Sequence, residues 1–376
     1  MSETDVVPAA PGRLRRVLPR GRRGRLVLAA ALVFVLAGTG LGTWAADTWP
    51  WPKDRYCWGA WEEDSGPGFL GDGDDGSRTG RETAPTRERP TGSCEVAITR
   101  DDRSGYDGGK VSIDQKVAVE YGPVPEAVDA RLAMIHDGFL GGDMVSLPDG
   151  LPGTVNGRGG LLVLPKSCDA KDGRPTVVTM RASGTYTGGP SYTRNDPPDL
   201  GGVRQAAVLL VAAANRGMTA AGCAPDEPLR VSSPVYDLPG ERERVFSASD
   251  DVCGIRGLRL GTQDIEYQTS AVTRDLQTCS VRGDRDGVTY LELAMVARPR
   301  LAAAFDGITG DDPVARGWRG TGTIGDQHAI VRADCAGRPA TFLMGASTDT
   351  GHLAAFANAA AARLGCAPVA PEGVAR

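Results

Sequence analysis

The chain has 376 residues, room for two or three domains of about 150 residues each. Apolar residues make up 41% and charged residues 24%, which excludes wholesale disorder and a polytopic membrane protein. The net charge is −5, and the 51 Gly and 26 Pro follow no three-residue period, which excludes collagen.

Residues 1–25 hold seven arginines (Arg13, Arg15, Arg16, Arg20, Arg22, Arg23, Arg25) against Glu3 and Asp5, a cytoplasmic leader of net charge +5. The remainder therefore carries −5 − 5 = −10. From Leu26 to Ala46 run 21 uncharged residues, in helical form about 31 Å, the depth of a bilayer core. The expectation is a transmembrane helix over 26–46, N-terminus inside, with Trp44, Trp49 and Trp51 at the exit interface. The competing reading is a cleaved signal peptide, Thr43-Trp44-Ala45 being a weak cleavage site; the basic leader and the full-length apolar run favour a retained anchor. The first cysteine is Cys57, so there is no lipobox, and an acidic exterior sets nucleic acid aside as a partner.

All eight cysteines follow the apolar run: Cys57, Cys94, Cys168, Cys223, Cys253, Cys279, Cys335 and Cys366. An even count on the exported side reads as four disulfides, and without a C-x2-C pair zinc ribbons and thioredoxin motifs lack support.

Two blocks of the exterior part repeat. Cys168 precedes Gly173-Arg174-Pro175, Met180, Ala182 and Ser183; Cys335 precedes Gly337-Arg338-Pro339, Met344, Ala346 and Ser347, with the same offsets from Pro. An Ala-rich stretch then leads to Gly222-Cys223-Ala224-Pro225 or Gly365-Cys366-Ala367-Pro368, with Asn215 and Asn358 each eight residues before the cysteine. The reading is two homologous domains, 47–229 and 230–376.

Within each, a segment with the first cysteine (Tyr56 to Trp61; Val252 to Leu260) leads to a strand with the second (Cys94 to Thr99; Cys279 to Arg282). A longer strand follows, Val111 to Tyr121 or Val288 to Ala297, the first alternating with period two. Pro125 to Phe139 then reads as a helix, with Val128, Leu132, Ile135 and Phe139 on one face. Two strands flank the third cysteine (Leu161 to Lys166 and Thr176 to Ala182; His328 to Ala333 and Ala340 to Ala346). A terminal helix (Val203 to Ala221; Gly351 to Leu364) closes on a left-handed Gly. The predicted class is α+β: an N-terminal transmembrane helix, then two disulfide-bonded domains, each an antiparallel sheet with two helices. Strand directions bring Cys223 back to Cys168 and Cys366 back to Cys335; by elimination Cys57 joins Cys94 and Cys253 joins Cys279.

Two segments read as loops. Residues 62–92 hold eight acids, four Arg, seven Gly and three Pro, a disordered composition. Gly184 to Gly202 accounts for most of the 21 residues by which the first repeat exceeds the second between matched landmarks. Its Tyr186, Tyr192, Ser191, Arg194 and Asn195 suit a recognition loop, with Tyr186, Tyr192, Arg194 and Asn195 the candidate contacts.

Catalytic patterns are few. Gly71-x-Gly73-x-x-Gly76 matches a dinucleotide loop by letters, but Asp72, Asp74 and Asp75 would repel a pyrophosphate; as a calcium loop it has Thr83 where Glu is required. Gly320-x-Gly322-x-x-Gly325 precedes a strand and reads as a turn. His136, four residues after Leu132, reads as a structural or surface residue. His328 and His352, aligned with Leu161 and Leu209, read as packed positions, and a metal site from them would need Asp326 or Asp349. No catalytic, metal or cofactor residues are assigned.

The Arg-rich leader, single anchor and paired Cys domains ending in Gly-Cys-Ala-Pro resemble uncharacterised membrane-anchored exported proteins of actinobacteria. The resemblance implies a cell-envelope location and no activity. The expectation is a binding or protein-interaction module with an unknown envelope protein or ligand as partner and no cofactor. The alternative is an envelope hydrolase using carboxylates and His.

Overall fold

The computed structural model describes residues 54–371 apart from 64–68, 71–76, 103–110, 140, 189–191, 236–242, 246, 285–287, 309, 311, 326–327 and 348, and lacks side-chain description for 77, 101–102 and 136–139. The leader 1–25 and the expected span 26–46 lie outside these residues. Among the described residues no helix is long and apolar enough to cross a membrane.

The first half begins with a hairpin, β1 (Arg55–Tyr56) and β2 (Trp61–Glu62), whose left-handed turn carries Cys57. There follow β3 (Ser77–Thr83), β4 (Gly92–Asp102), β5 (Val111–Pro123), α1 (Val128–Phe139), β6 (Val145–Ser146), β7 (Gly153–Asn156), β8 (Gly159–Val163), β9 (Thr176–Gly188), β10 (Tyr192–Asn195) and α2 (Gly202–Ala221). The second half holds β11 (Glu243–Val245), β12 (Ile265–Thr269), β13 (Leu276–Gly283), β14 (Thr289–Val296), α3 (Pro299–Ala302), β15 (Thr321–Ile324), β16 (His328–Cys335), β17 (Arg338–Gly345) and α4 (Thr350–Leu364).

Sheet one has the order β3-β4-β5-β9-β8-β7-β6, with β10 also on β9; sheet two has the order β11-β12-β13-β14-β17-β16-β15, and all pairs are antiparallel. Six strands thus follow one order in both halves. Register carries the correspondence to single residues. The row Glu82-Cys94-Val119-Met180-Gly160-Val155 answers Thr269-Cys279-Leu293-Met344-Ala329-Ile324.

The α+β class is corrected: the protein is mostly β, with four helices among the described residues. Each half does hold two helices, but where the first half has the three-turn α1 the second has only the single turn α3 and the 3-10 turn Ala303–Phe305. There the helix ends after one turn: Ala303–Phe305 tightens to a 3-10 turn and Asp306 is extended (φ −63°, ψ 131°), ahead of the left-handed Gly307. Residues 62–92 include β3, held by its backbone ladder to β4 rather than by apolar side chains, so the expectation of a disordered loop does not fit 77–83. The Gly320–Gly325 stretch contains the strand β15 instead of a turn; a Cβ at Gly322 would lie 2.0 Å from the Ile330 carbonyl oxygen.

Each sheet is covered on one face by its own terminal helix. α2 lays Val203, Ala206, Leu210, Ala213, Ala214 and Met218 on Val96, Val117, Val119, Val178 and Met180. It comes so close that a Cβ at Gly217 would meet the Tyr121 ring at 2.4 Å. α4 lays Leu353, Phe356, Ala357 and Ala360 on Val281, Leu293, Phe342 and Met344. The opposite faces pack on each other: Leu161, Val163 and Val177 of sheet one and Leu276, Ala294, Val296, Ile330 and Leu343 of sheet two share a core with Ile135, Leu301 and Phe305. Asp54–Arg376 is accordingly one compact unit of four layers, helix-sheet-sheet-helix.

Arginines tie the halves together. Arg300 Nε donates to the Leu164 carbonyl at 2.7 Å and its guanidinium pairs with Asp169; Arg298 donates to the Leu147 carbonyl at 3.3 Å and to Asp275 at 2.9 Å. Arg131 donates to the Asp306 carbonyl, and burial pushes its guanidinium below the usual Arg range. The linker docks where Asp149 accepts the amides of Ser232 (2.6 Å) and Ser233 (3.0 Å) and the Ser233 hydroxyl. These bonds, led by the hydroxyl, hold its carboxyl below the usual range.

Four disulfides form: Cys57–Cys94, Cys168–Cys223, Cys253–Cys279 and Cys335–Cys366, with Cα separations of 5.1, 5.1, 5.9 and 5.0 Å. These are the pairs that the direction argument expects. They are the bonds of a protein of an oxidising, extracellular compartment. In both halves the last cysteine follows a left-handed Gly (Gly222 φ 71°, Gly365 φ 79°), which turns the chain back across the sheet end.

Asn215 and Asn358 do one job twice. Asn215 Nδ2 donates to the Leu229 carbonyl (2.9 Å) and its Oδ1 accepts the Leu229 amide (3.0 Å). Asn358 does the same with the Ala370 carbonyl (3.1 Å) and the amides of Val369 and Ala370 (both 2.8 Å). Asn215→Ala and Asn358→Ala should each cost about 1–3 kcal/mol, because backbone groups lose their partners in a partly buried site. Denaturant melts of the two variants should shift by similar amounts; a shift in one alone would deny the shared role.

Tyr121 lies under α2, its hydroxyl 3.4 Å from Cys223 Sγ, and burial raises its pKa from 10.0 to about 12. Because the folded value lies above the unfolded one, the neutral phenol's contribution is complete below pH 10.0 and is lost as pH rises towards about 12. Burial also raises the phenols of Tyr56 and Tyr267, so alkaline absorbance titration should show several late-ionising phenols, of which Tyr121→Phe removes one, with neutral-pH stability changed by no more than about 1 kcal/mol.

Candidate functional site

The predicted recognition loop is for the most part a hairpin. β9 continues past Ser183 to Gly188, pairing with β5 on one side and with β10 on the other, so that Tyr186 stands opposite Arg194 and Gly188 opposite Tyr192. Two-residue alternation puts Tyr186, Tyr192 and Arg194 on one face, the outer, α2-bearing face of sheet one. The Tyr186 and Tyr192 rings meet edge to face at 6.1 Å, and the Arg194 guanidinium lies 4.6 Å above the centre of the Tyr186 ring. Arg194 also pairs with Asp196 at 3.4 Å. The cluster needs Gly188, where a Cβ would come within 2.9 Å of the Tyr186 ring.

The base of the hairpin is tied down. The Asp196 amide donates to the Gly184 carbonyl (2.9 Å), and Gln115 Nε2 reaches the Asp196 carbonyl (2.9 Å) from β5. Tyr192 remains 54% exposed. One register row, Arg100-Ile113-Tyr186-Arg194, crosses four strands, so two arginines bracket an apolar and an aromatic side chain. Arg100 Nε is buried without a hydrogen-bond partner. Of the candidate residues, Tyr186, Tyr192 and Arg194 come together; Asn195 is exposed on the same strand outside the stack, and Ser191 lies outside the described residues.

Composition could not reveal a second site on the inner face of the same sheet. A cleft of about 510 Å³ is lined by Ala118, Glu120, Thr179 and Arg181 from β5 and β9, Gly159 and Arg158 at the start of β8, and Met134 and Met144. Asn156 at its edge is already engaged, donating to Asp143 (3.1 Å) and accepting the Arg158 amide (2.8 Å). Its lining is contributed by segments from residue 118 to residue 182, which explains why no local motif announces it.

The histidines do not converge. His328 belongs to the inner face of sheet two with Ile330, whereas His352 sits at the start of α4 over the outer face. His352 Nε2 lies 3.1 Å from the Arg259 carbonyl and its Nδ1 3.3 Å from the Ser347 hydroxyl, contacts that hold a loop on the helix start. The alignment of His328 with Leu161 is corrected by register: His328 faces Gly345 as Gly159 faces Arg181, because the two hairpin turns differ in length. The His136 side chain, Asp326 and the Asp72–Asp75 run lie outside the described residues. Among the described residues no three His, Cys, Asp or Glu are grouped to hold a metal ion.

No protein-family model, curated protein or solved structure matches the chain.

Proposed function

We propose that the protein is an extracytoplasmic binding module of the cell envelope, attached to the membrane through residues 26–46, that captures a partner with the β9–β10 hairpin. The observation that carries this reading is the Tyr186-Tyr192-Arg194 stack. Rigid Tyr and Arg side chains offer large contact area with little ordering cost, the chemistry of interface hot spots. The second half, on the same strand order, has no counterpart of the hairpin, since Ser347 leads within three residues into α4. The insertion is therefore no requirement of the frame, which supports a task of its own. The Arg-rich leader and the apolar run 26–46 support attachment with the leader in the cytoplasm.

In cells expressing the full chain, crosslinking should capture an envelope partner, and Tyr192→Ala with Arg194→Ala should reduce capture by roughly tenfold or more while disulfide mapping stays unchanged. Unchanged capture would remove the hairpin from recognition.

Protease added to intact cells should remove the part following residue 46 and spare the leader. A released mature chain beginning near Asp47 would overturn the attachment.

A further inference from the structure

An outer strand of a sheet presents a row of backbone donors and acceptors that another strand can take up. Most outer strands of this protein offer little of that row. β6 and β11 are two and three residues long. β15 is met along its edge by Asp312, whose carbonyl accepts the Gly322 amide at 3.2 Å, and Trp58 Nε1 donates to the Thr83 carbonyl at the end of β3 at 3.2 Å. β10 differs: it pairs with β9 on one side, among the described residues no strand pairs with its other side, and all four of its residues are exposed.

The bonding of the hairpin decides which groups this edge presents. Because the Asp196 amide donates to the Gly184 carbonyl, Arg194 and Tyr192 turn their backbone groups towards β9, and Thr193 and Asn195 turn theirs outward. Two copies of the strand meeting about a two-fold axis run antiparallel, and outward residues must face outward residues for bonds to form. Two centres keep such a ladder within Tyr192–Asn195. Centred on Arg194, it sets the guanidinium directly against the partner's Arg194, like charge on like. Centred on Thr193, it sets Tyr192 against the partner's Arg194 and Arg194 against the partner's Tyr192, while Thr193 bonds to the partner's Thr193. The Tyr-Arg pairs then occupy the non-hydrogen-bonded positions, where side chains stand closest. The Arg194 side chain is 54% exposed while it lies on Tyr186 and pairs with Asp196, so a second ring reaches it with both contacts kept.

We infer that this edge binds a second copy of the same chain, β10 beside β10 and centred on Thr193, so that two copies of sheet one continue as a single sheet. The inference rests on the reading of the hairpin as the recognition element and names its partner. The backbone supplies the attraction, and the Tyr192 and Arg194 pairing fixes the register, since the alternative centre opposes two arginines. A ladder of four residues buries less than the roughly 1,000 Å² of a lasting complex, so association is weak and grows with concentration. Two copies attached to one membrane meet at a raised effective concentration, which suits a contact of this strength.

Cysteine replacement reads the register directly, because the native cysteines are all paired and an introduced thiol stands alone. With Thr193→Cys the two thiols flank the axis on Cα atoms about 5.5 Å apart, within disulfide reach; with Asn195→Cys the Cα atoms are about 14 Å apart. In the purified full-length chain in mild detergent, a mild oxidant should join Thr193→Cys copies at least tenfold faster than Asn195→Cys copies, at a rate that rises with protein concentration. Thr193→Pro removes only an outward amide and spares the bonds between β9 and β10. It should weaken the monomer-dimer equilibrium seen by sedimentation about tenfold or more and leave the disulfide map unchanged. Equal crosslinking of the two cysteine variants, or a chain that stays monomeric up to millimolar concentration, would overturn the inference. Capture of a different envelope protein by the hairpin, with no Thr193→Cys dimer, would overturn it too and leave the binding-module reading standing.

Discussion

Each sheet carries an apolar patch on both of its faces, and the rest of the structure follows from that requirement. Along the central strands successive residues point to opposite sides, and here both sides are hydrophobic: Val178 and Met180 face α2 while Val177 faces the other sheet; Leu293 and Met295 face α4 while Ala294 and Val296 face inward. One helix can cover only one face. The second face is buried by the other half, so the two repeats share a core and form one folded unit. The carbonyls at the edges of this contact, Leu147, Leu164 and Asp306, accept from Arg298, Arg300 and Arg131, which keeps backbone acceptors paired where neither sheet continues.

The disulfides act at the other end of each half. Each terminal helix returns to its sheet at a left-handed Gly and is joined there to the hairpin beneath it, while the first cysteine of each half joins a left-handed turn (Cys57 φ 53°, Cys253 φ 60°) to the matched strands β4 and β13. Each bridge limits the unfolded chain by roughly 2–4 kcal/mol. A frame held by helices, bridges and a shared core tolerates change at positions that serve none of these. The first half uses that freedom on both faces of sheet one: the outer face carries the hairpin stack, and the inner face exchanges the Leu343 and Ala294 pair for Thr179 and Glu120.

How much of this was legible depends on the range over which each signal acts. Cys168 and Cys335, Met180 and Met344, Asn215 and Asn358 announce a repeat because each serves one local element at a matched position. The terminal helices show themselves by small apolar residues ending at Gly. The outer strands β3, β6 and β15 do not, because an edge strand is held by backbone hydrogen bonds that any side chain permits. The hairpin was legible as composition, Tyr and Arg among Gly, but not as a pair of strands.

The sequence alone determined the compartment chemistry, the repeat, the cysteine pairs and the residues of the hairpin, since these rest on residue type and short spacing. Only the tertiary structure decided that the class is mostly β, that the halves bury each other's inner faces, and that Glu120, Arg158, Arg181, Met134 and Met144 surround one cleft. The reason is physical: alternation tells which residues share a face, but not which face another sheet will cover, and that choice is made by contacts between residues more than a hundred positions apart, such as Arg300 with Leu164.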